Sequence, residues 1–189
     1  MTAEPIRQAT IEEYLDFERS SQEKHEFLEG QIYAMGGASV RHNLIVGNLV
    51  GELRQLLKGR SCLVFPSDLR VHATEGLYAY PDVTVVCGTP EFDDETKDTL
   101  VNPTLIVEVL SESTESYDRG EKFARYRSLP SLAEYVLVSQ DRVSVEHHAR
   151  QPDGHWLTTY VEDLDGTLSL PALGCELSVA EIFDKVDLS

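Results

Sequence analysis

The clearest rhythm of apolar positions in this chain is Thr104–Ser111, Thr-Leu-Ile-Val-Glu-Val-Leu-Ser, where five branched apolar residues surround one carboxylate, Glu108. A run apolar on both faces predicts a central strand covered from both sides. Tyr80–Val86 predicts a second buried strand and again carries one acid, Asp82. Shorter strands are expected at Cys62–Phe65, Leu69–Ala73, Ala133–Ser139, Arg142–His148 and His155–Glu162. Turn signals stand at Pro66-Ser67-Asp68, Glu75-Gly76 and Pro152-Asp153-Gly154.

Helices alternate with these runs. Thr10-Ile11-Glu12-Glu13 is a capping box and opens a helix to about Ser20. His25–Met35 predicts a hairpin with Glu29-Gly30 at its turn, and Gly36-Gly37 then breaks the pattern. Ser39 caps a long amphipathic helix, Val40–Leu57, with Ile45, Leu49, Leu53 and Leu56 at helical spacing. Asp118–Leu129 predicts another, with Phe123, Tyr126 and Leu129 on its apolar face and Pro130 ending it. Ser178-Val179-Ala180-Glu181 reads as a second capping box, starting a terminal helix. Gly88–Asn102, acidic at Asp93-Asp94-Glu95, and Ser111–Tyr117 are expected to be loops. Strands interleaved with helices predict an α/β or α+β chain, a central mixed sheet flanked by helices, forming one domain over residues 1–189.

Composition adds two constraints. At 41% hydrophobic and 26% charged residues, the chain has the make-up of a soluble globular protein with a full core. Cys62, Cys87 and Cys175 lie far apart with no C-x-x-C spacing, which reads as reduced thiols in a cytoplasmic protein. No apolar run approaches a bilayer span, and the first residues do not resemble a signal peptide. The net charge of −17 favours solubility and repels phosphate backbones at long range, so any nucleic-acid function must overcome it.

The candidate chemistry begins with Glu108, since a buried, unpartnered carboxylate costs several kcal/mol. If its strand pairs with the one that carries Asp82, the two acids converge on one hard cation such as Mg²⁺ or Mn²⁺. The bland alternatives are a salt-bridged Glu108 and a turn-forming Asp82 after Pro81. Strand period puts Leu110, not a lysine, beside Glu108. Lys122 is the nearest available cation, one helical turn from both Asp118 and Tyr126; its bland alternative is an exposed pair with Asp118. His147 and His148 point to opposite faces of a strand and do not chelate together. H-E-x-x-H, G-x-S-x-G and phosphate-loop motifs are absent from the sequence.

Pro81-Asp82, Glu108 in Val107-Glu108-Val109-Leu110-Ser111, and Asp118 with Lys122 together resemble the PD-(D/E)XK nuclease superfamily. Within it they are most similar to the Uma-type putative restriction endonucleases. Glu26–Ile32, His42 and Leu132–Val138 extend the resemblance over roughly Ile11 to His148. It implies an α/β, restriction-endonuclease-like core in which Asp82 and Glu108 ligate Mg²⁺ or Mn²⁺. Lys122 then stands in for the motif lysine, and Glu26 supplies a further carboxylate. Glu29 is assigned to the turn, and His42 to the helix start rather than to base catalysis. The implied activity is metal-dependent hydrolysis of DNA; the alternative is a catalytically inactive interaction or regulatory domain that keeps the fold. A homodimer is expected, as for many soluble proteins.

Overall fold

The computed structural model describes residues 4–73 and 76–189, so Glu75 of the expected Glu75-Gly76 turn lies outside the described residues. The elements run β1 (Arg7–Gln8), α1 (Ile11–Ser20), β2 (His25–Leu28), β3 (Gln31–Ala34), α2 (Val40–Leu56), β4 (Cys62–Pro66), β5 (Arg70–Ala73), β6 (Leu77–Ala79) and β7 (Val83–Cys87). They continue with β8 (Thr99–Leu100), β9 (Leu105–Leu110), α3 (Glu115–Tyr117), a π-helical turn at Asp118–Lys122, α4 (Phe123–Tyr126), β10 (Glu134–Ser139) and β11 (Val145–Arg150). β12 (Trp156–Val161), β13 (Thr167–Leu170), β14 (Cys175–Ser178) and α5 (Val179–Ile182) complete the order. No described helix is long and apolar enough to cross a membrane.

The expected mixed sheet is present, six strands in the order β12-β11-β10-β9-β7-β4. β9 and β10 run parallel, while β7 pairs with β9 antiparallel. β9 lies near the middle and all six of its residues are buried, as the run at Thr104–Ser111 predicts. Val107 and Val109 face one way, into a core shared with Ile45, Leu49 and Leu53 of α2 and Val179 and Ile182 of α5. Ile106 and Leu110 face the other way, against Tyr117, Tyr126 and Leu137. Period 2 therefore places Glu108 on this second face, beneath the helical segment 115–126.

Local signals were well obeyed at the ends of elements. Thr10 Oγ1 accepts from Glu13 N–H, and Glu13 returns the bond to Thr10 N–H, closing the capping box. Ser39 Oγ accepts from His42 N–H and starts α2. Glu29 (φ 47°) and Gly30 (φ 83°) both take the left-handed conformation that a two-residue hairpin turn requires. Ser178, by contrast, makes no side-chain cap bond to α5, so the second box is a sequence pattern only.

Three expectations are corrected and one hairpin is added to them. The strand expected at Tyr80–Val86 starts later, as β7 at Val83 in the central sheet, and the residues before it lead back to β6, which belongs to a second six-stranded sheet ordered β1-β3-β2-β6-β5-β8. Tyr80-Pro81-Asp82 is the joint between them, because proline lacks the N–H that a continuous ladder needs. The acidic stretch 88–102 is pinned rather than free, with Asp94 and Asp98 on Arg19 (2.5 and 2.8 Å) and β8 paired to β5. Arg19 and Arg70 help to hold the Asp98 carboxyl at about 2, well below its usual range. Cys62 and Cys87 face each other across β4 and β7 and form a disulfide, leaving Cys175 as the free thiol. Finally, Thr167–Leu170 and Cys175–Ser178 form a further antiparallel hairpin.

Candidate active site

Six of the residues singled out in the sequence meet at one end of β9: Glu26, His42, Asp82, Glu108, Asp118 and Lys122. The register Val83↔Val107 and Thr84↔Ile106, continued by one residue, puts Asp82 opposite Glu108 on the same face. Asp82 Oδ2 accepts the Val109 N–H (2.8 Å) and lies 3.2 Å from His42 Nε2. A side chain thus takes over a ladder bond where Pro81 ends the strand. Both contacts use Oδ2, so Oδ1 has no partner among the described residues.

Glu108 is buried, and its partner is Lys122, whose ammonium lies 2.8 Å from Oε1. The same ammonium is 3.3 Å from Glu26 Oε1 and 3.6 Å from Asp118 Oδ1. Lys122 is therefore not the exposed lysine of the bland alternative; it is a buried cation shared by three acids. Glu26, on β2 of the second sheet, is held by the Tyr80 N–H at 3.3 Å. The joint 80–82 thus fixes one acid through its backbone and supplies another from its side chain.

Burial pushes the Glu108 carboxyl well above its usual range; Asp118 and Asp82 push the same way, and Lys122 opposes them. Burial would lower the Lys122 ammonium, but Glu108, Glu26 and Asp118 overcome that and hold its pKa well above the ordinary value. Burial is thus the main reason why Glu108 resists losing its proton, and the neighbouring carboxyl groups, which outnumber the one ammonium, add to it.

An aromatic wall closes the site. Tyr126 OH donates to Glu108 Oε1 at 3.4 Å, Tyr135 OH donates to the Asp118 carbonyl at 3.0 Å, and the Lys122 ammonium lies 6.0 Å from the centre of the Tyr117 ring. Leu110 packs with these tyrosines, so the strand position beside Glu108 is apolar. The lysine comes instead from the π-helical turn, a distortion that occurs frequently at functional sites. Glu29 is not only a turn residue, because its carboxylate receives Arg125 at 2.7 Å and ties the hairpin to α4. Sequence reasoning missed this bridge, as well as Arg119, which pairs with Glu115 (3.1 Å) and Glu146 beside the site. His147 and His148 turn to opposite faces, toward Glu134 and Glu146, as strand period predicts.

The donor set fits a hard divalent cation in kind: the contacts above use Asp82 Oδ2 and Glu108 Oε1, and each carboxyl brings a second oxygen donor from one of two adjacent strands. Among the described residues, however, no three His, Cys, Asp or Glu side chains are already gathered around one ion position. Lys122 occupies the middle of the acids.

Comparison with known proteins gives the chain a family and its fold a counterpart. A family model described as "Uma2: Putative restriction endonuclease" matches residues 11–180. Two uncharacterized proteins of Synechocystis sp. are similar to the chain. One is 38% identical over 180 residues (95% of this chain, 93% of the relative), and the other 40% over 151 residues (79% and 85%). A crystal structure from Anabaena variabilis, described as a putative nuclease belonging to DUF820, has the same fold, with a TM-score of 0.78 at 18% identity, covering 94% of this chain and 98% of that one.

Proposed function

We propose that this chain, which belongs to the Uma2 family of putative restriction endonucleases, is a divalent-metal-dependent endonuclease that hydrolyses DNA phosphodiester bonds. The observation that supports this best is the gathering of Glu26, Glu108 and Asp118 on the Lys122 ammonium, with Asp82 opposite Glu108. A buried cluster with this excess of acid is costly for stability alone, which favours a use for it.

In this reading Asp82 and Glu108 hold Mg²⁺ or Mn²⁺ through carboxylate oxygens. When bound, the ion supplies Lewis-acid polarisation of the phosphate and lowers the pKa of a water. His42 and the Val109 N–H fix Asp82 Oδ2, so Oδ1 is the oxygen presented to the site. Lys122 keeps its proton and offers a cation to the oxygen on which negative charge develops. Glu26 anchors Lys122 from the second sheet, and Tyr126 orients Glu108. The overall charge of −17 repels DNA at long range, so this reading requires the cation to offset the acids where the phosphate meets the site.

One observation favours a second reading, an inactive interaction domain: the Lys122 ammonium already neutralises the acid a metal needs. A single comparison separates the two. The wild-type chain is incubated with plasmid DNA and Mg²⁺ or Mn²⁺ beside Asp82→Ala and Glu108→Ala, and Mn²⁺ binding is followed by calorimetry. Cleavage and Mn²⁺ binding lost in both variants support the nuclease. Equal background cleavage, with no Mn²⁺ binding that depends on Glu108, sinks it in favour of the inactive domain.

A further inference from the structure

Glu146 is a buried carboxylate that the proposed chemistry leaves unused. The registers Glu108↔Leu137 and Leu137↔Glu146 place it in the same row as Glu108 and on the same face, two strands away. At roughly 4.8 Å per strand the two acids stand about 10 Å apart, with apolar Leu137 between them. The π-helical turn at Asp118–Lys122 spans this gap. Lys122 reaches Glu108 at 2.8 Å, and Arg119, three residues earlier, pairs with Glu146. Each acid of the row thus receives one cation from the same turn.

The two cations hold the turn in different ways. An ammonium is a compact point charge that binds from many directions, so Lys122 alone leaves the turn free to roll. A guanidinium is a planar fork, which fixes direction as well as distance. Arg119 is gripped by Glu146 and also by Glu115, at 3.1 Å. Glu146 is itself held: His148 Nε2 lies 2.9 Å from its Oε1, and His148 Nδ1 is 2.8 Å from Thr158 Oγ1 on β12. Burial, helped by His147 and Arg119, pushes the His148 imidazole down to about 4, so it stays neutral at pH 7 and Arg119 carries the charge opposite Glu146. Gly120, between the two cations, has open space where a Cβ would stand, so packing does not steady that side of the turn.

We infer that Glu146 is a positioning residue for Lys122: through Arg119 it sets the roll of the π-helical turn and so keeps the ammonium on Glu26, Glu108 and Asp118. Tyr135 of β10 donates to the Asp118 carbonyl at 3.0 Å and holds the first residue of the turn against the sheet. Had Arg119 only to stabilise its own helix, Glu115 would suffice. A second carboxylate buried on β11 costs stability unless it also fixes where the turn lies. The role concerns the placement of Lys122, whatever chemistry Lys122 then takes part in.

Amine labelling of the full chain with acetic anhydride, read lysine by lysine in a mass spectrometer, tests this without DNA or metal, so its outcome is separate from the nuclease reading. Lys122 is buried and reacts only through local opening, whereas exposed Lys185 reacts freely and serves as the internal reference. Relative to Lys185, Lys122 should label at least about tenfold faster in Glu146→Ala and in Arg119→Ala than in the wild type. Leu53→Ala, on α2 in the core of the opposite face, is the control: it should lower the melting temperature yet leave Lys122 protected. Arg119 is partly exposed, so Arg119→Ala carries the test if Glu146→Ala does not fold. Lys122 as protected in Arg119→Ala, or in a folded Glu146→Ala, as in the wild type overturns the assignment, and so does equal loss of protection in Leu53→Ala.

Discussion

Replacing Lys122 with methionine keeps most of the side-chain volume and removes the charge on which Glu26, Glu108 and Asp118 converge. Two effects compete. Methionine is easier to bury than an ammonium, which favours the variant. Against that, three carboxyl groups in a largely water-free site lose their cation, at distances of 2.8, 3.3 and 3.6 Å. Removing one partner of a buried pair costs about 3–5 kcal/mol, more than a methionine recovers by packing. At roughly 2–4 °C per kcal/mol for a chain of this size, the melting temperature should fall by about 6–20 °C at neutral pH. Lys24→Met is the control. Lys24 pairs at 3.1 Å with an Asp68 whose side chain is 87% exposed and donates to Ser67 O and Oγ at 2.9 and 3.0 Å, so its loss should cost about 1–2 kcal/mol, less than the loss of Lys122. The cost at Lys122 should also shrink as pH is lowered, because Glu108, already held above its usual range, takes up a proton and partly discharges the cluster. Calorimetry or urea denaturation of both variants between mildly acidic and neutral pH reads this directly. A Lys122→Met protein as stable as Lys24→Met, or a penalty independent of pH, refutes the view that Lys122 is the shared counter-ion of the site.

Two further outcomes follow from the same structure. Because the Glu108 carboxyl is raised by burial, its contribution to stability is present below about pH 4.3 and lost as pH rises through the raised value; Glu108→Gln, which cannot ionise, should therefore gain on wild type as pH increases, checked by melting temperatures at pH 5 and pH 8. The Cys62–Cys87 disulfide closes a sequence separation of 25 residues. Its removal in Cys62→Ser/Cys87→Ser should cost about 3.5 kcal/mol by chain entropy, seen as a lower urea midpoint in a non-reducing buffer.

Much of this arrangement was legible because its causes are local. The capping box at Thr10, the N-cap at Ser39 and the Glu29-Gly30 turn are short-range bonds that short patterns specify. The apolar run around Glu108 announced a covered strand because strand period leaves no other place for so many branched residues. What failed was non-local. Pro81 is a local sign that the strand starts after it, but nothing near it says that the chain changes sheets there, since Leu77–Ala79 before it and Val83–Cys87 after it are both apolar. Asp94 and Asp98 look like solvated loop acids until Arg19, 75 and 79 residues away, is brought to them. Cys62 and Cys87 carry no spacing motif, and only the pairing of β4 with β7 makes them neighbours.

The lysine shows how a site survives a departure from its usual pattern. A cation near Glu108 is required by electrostatics, but its chain position is not. Leu110, beside Glu108 on the strand, is 3% exposed and packs among the tyrosines, so that position contributes apolar contact. The helical segment 115–126 crosses the same face of the sheet, and its π-helical turn brings Asp118 and Lys122 inward together. One residue of that turn thus supplies the cation, while another adds a carboxylate that raises the demand for it. The constraint acts on the point in space rather than on the sequence position. The two acids held by strand pairing and its continuation could therefore be read from the strands, whereas the lysine could be placed only once the helix was seen to cross them.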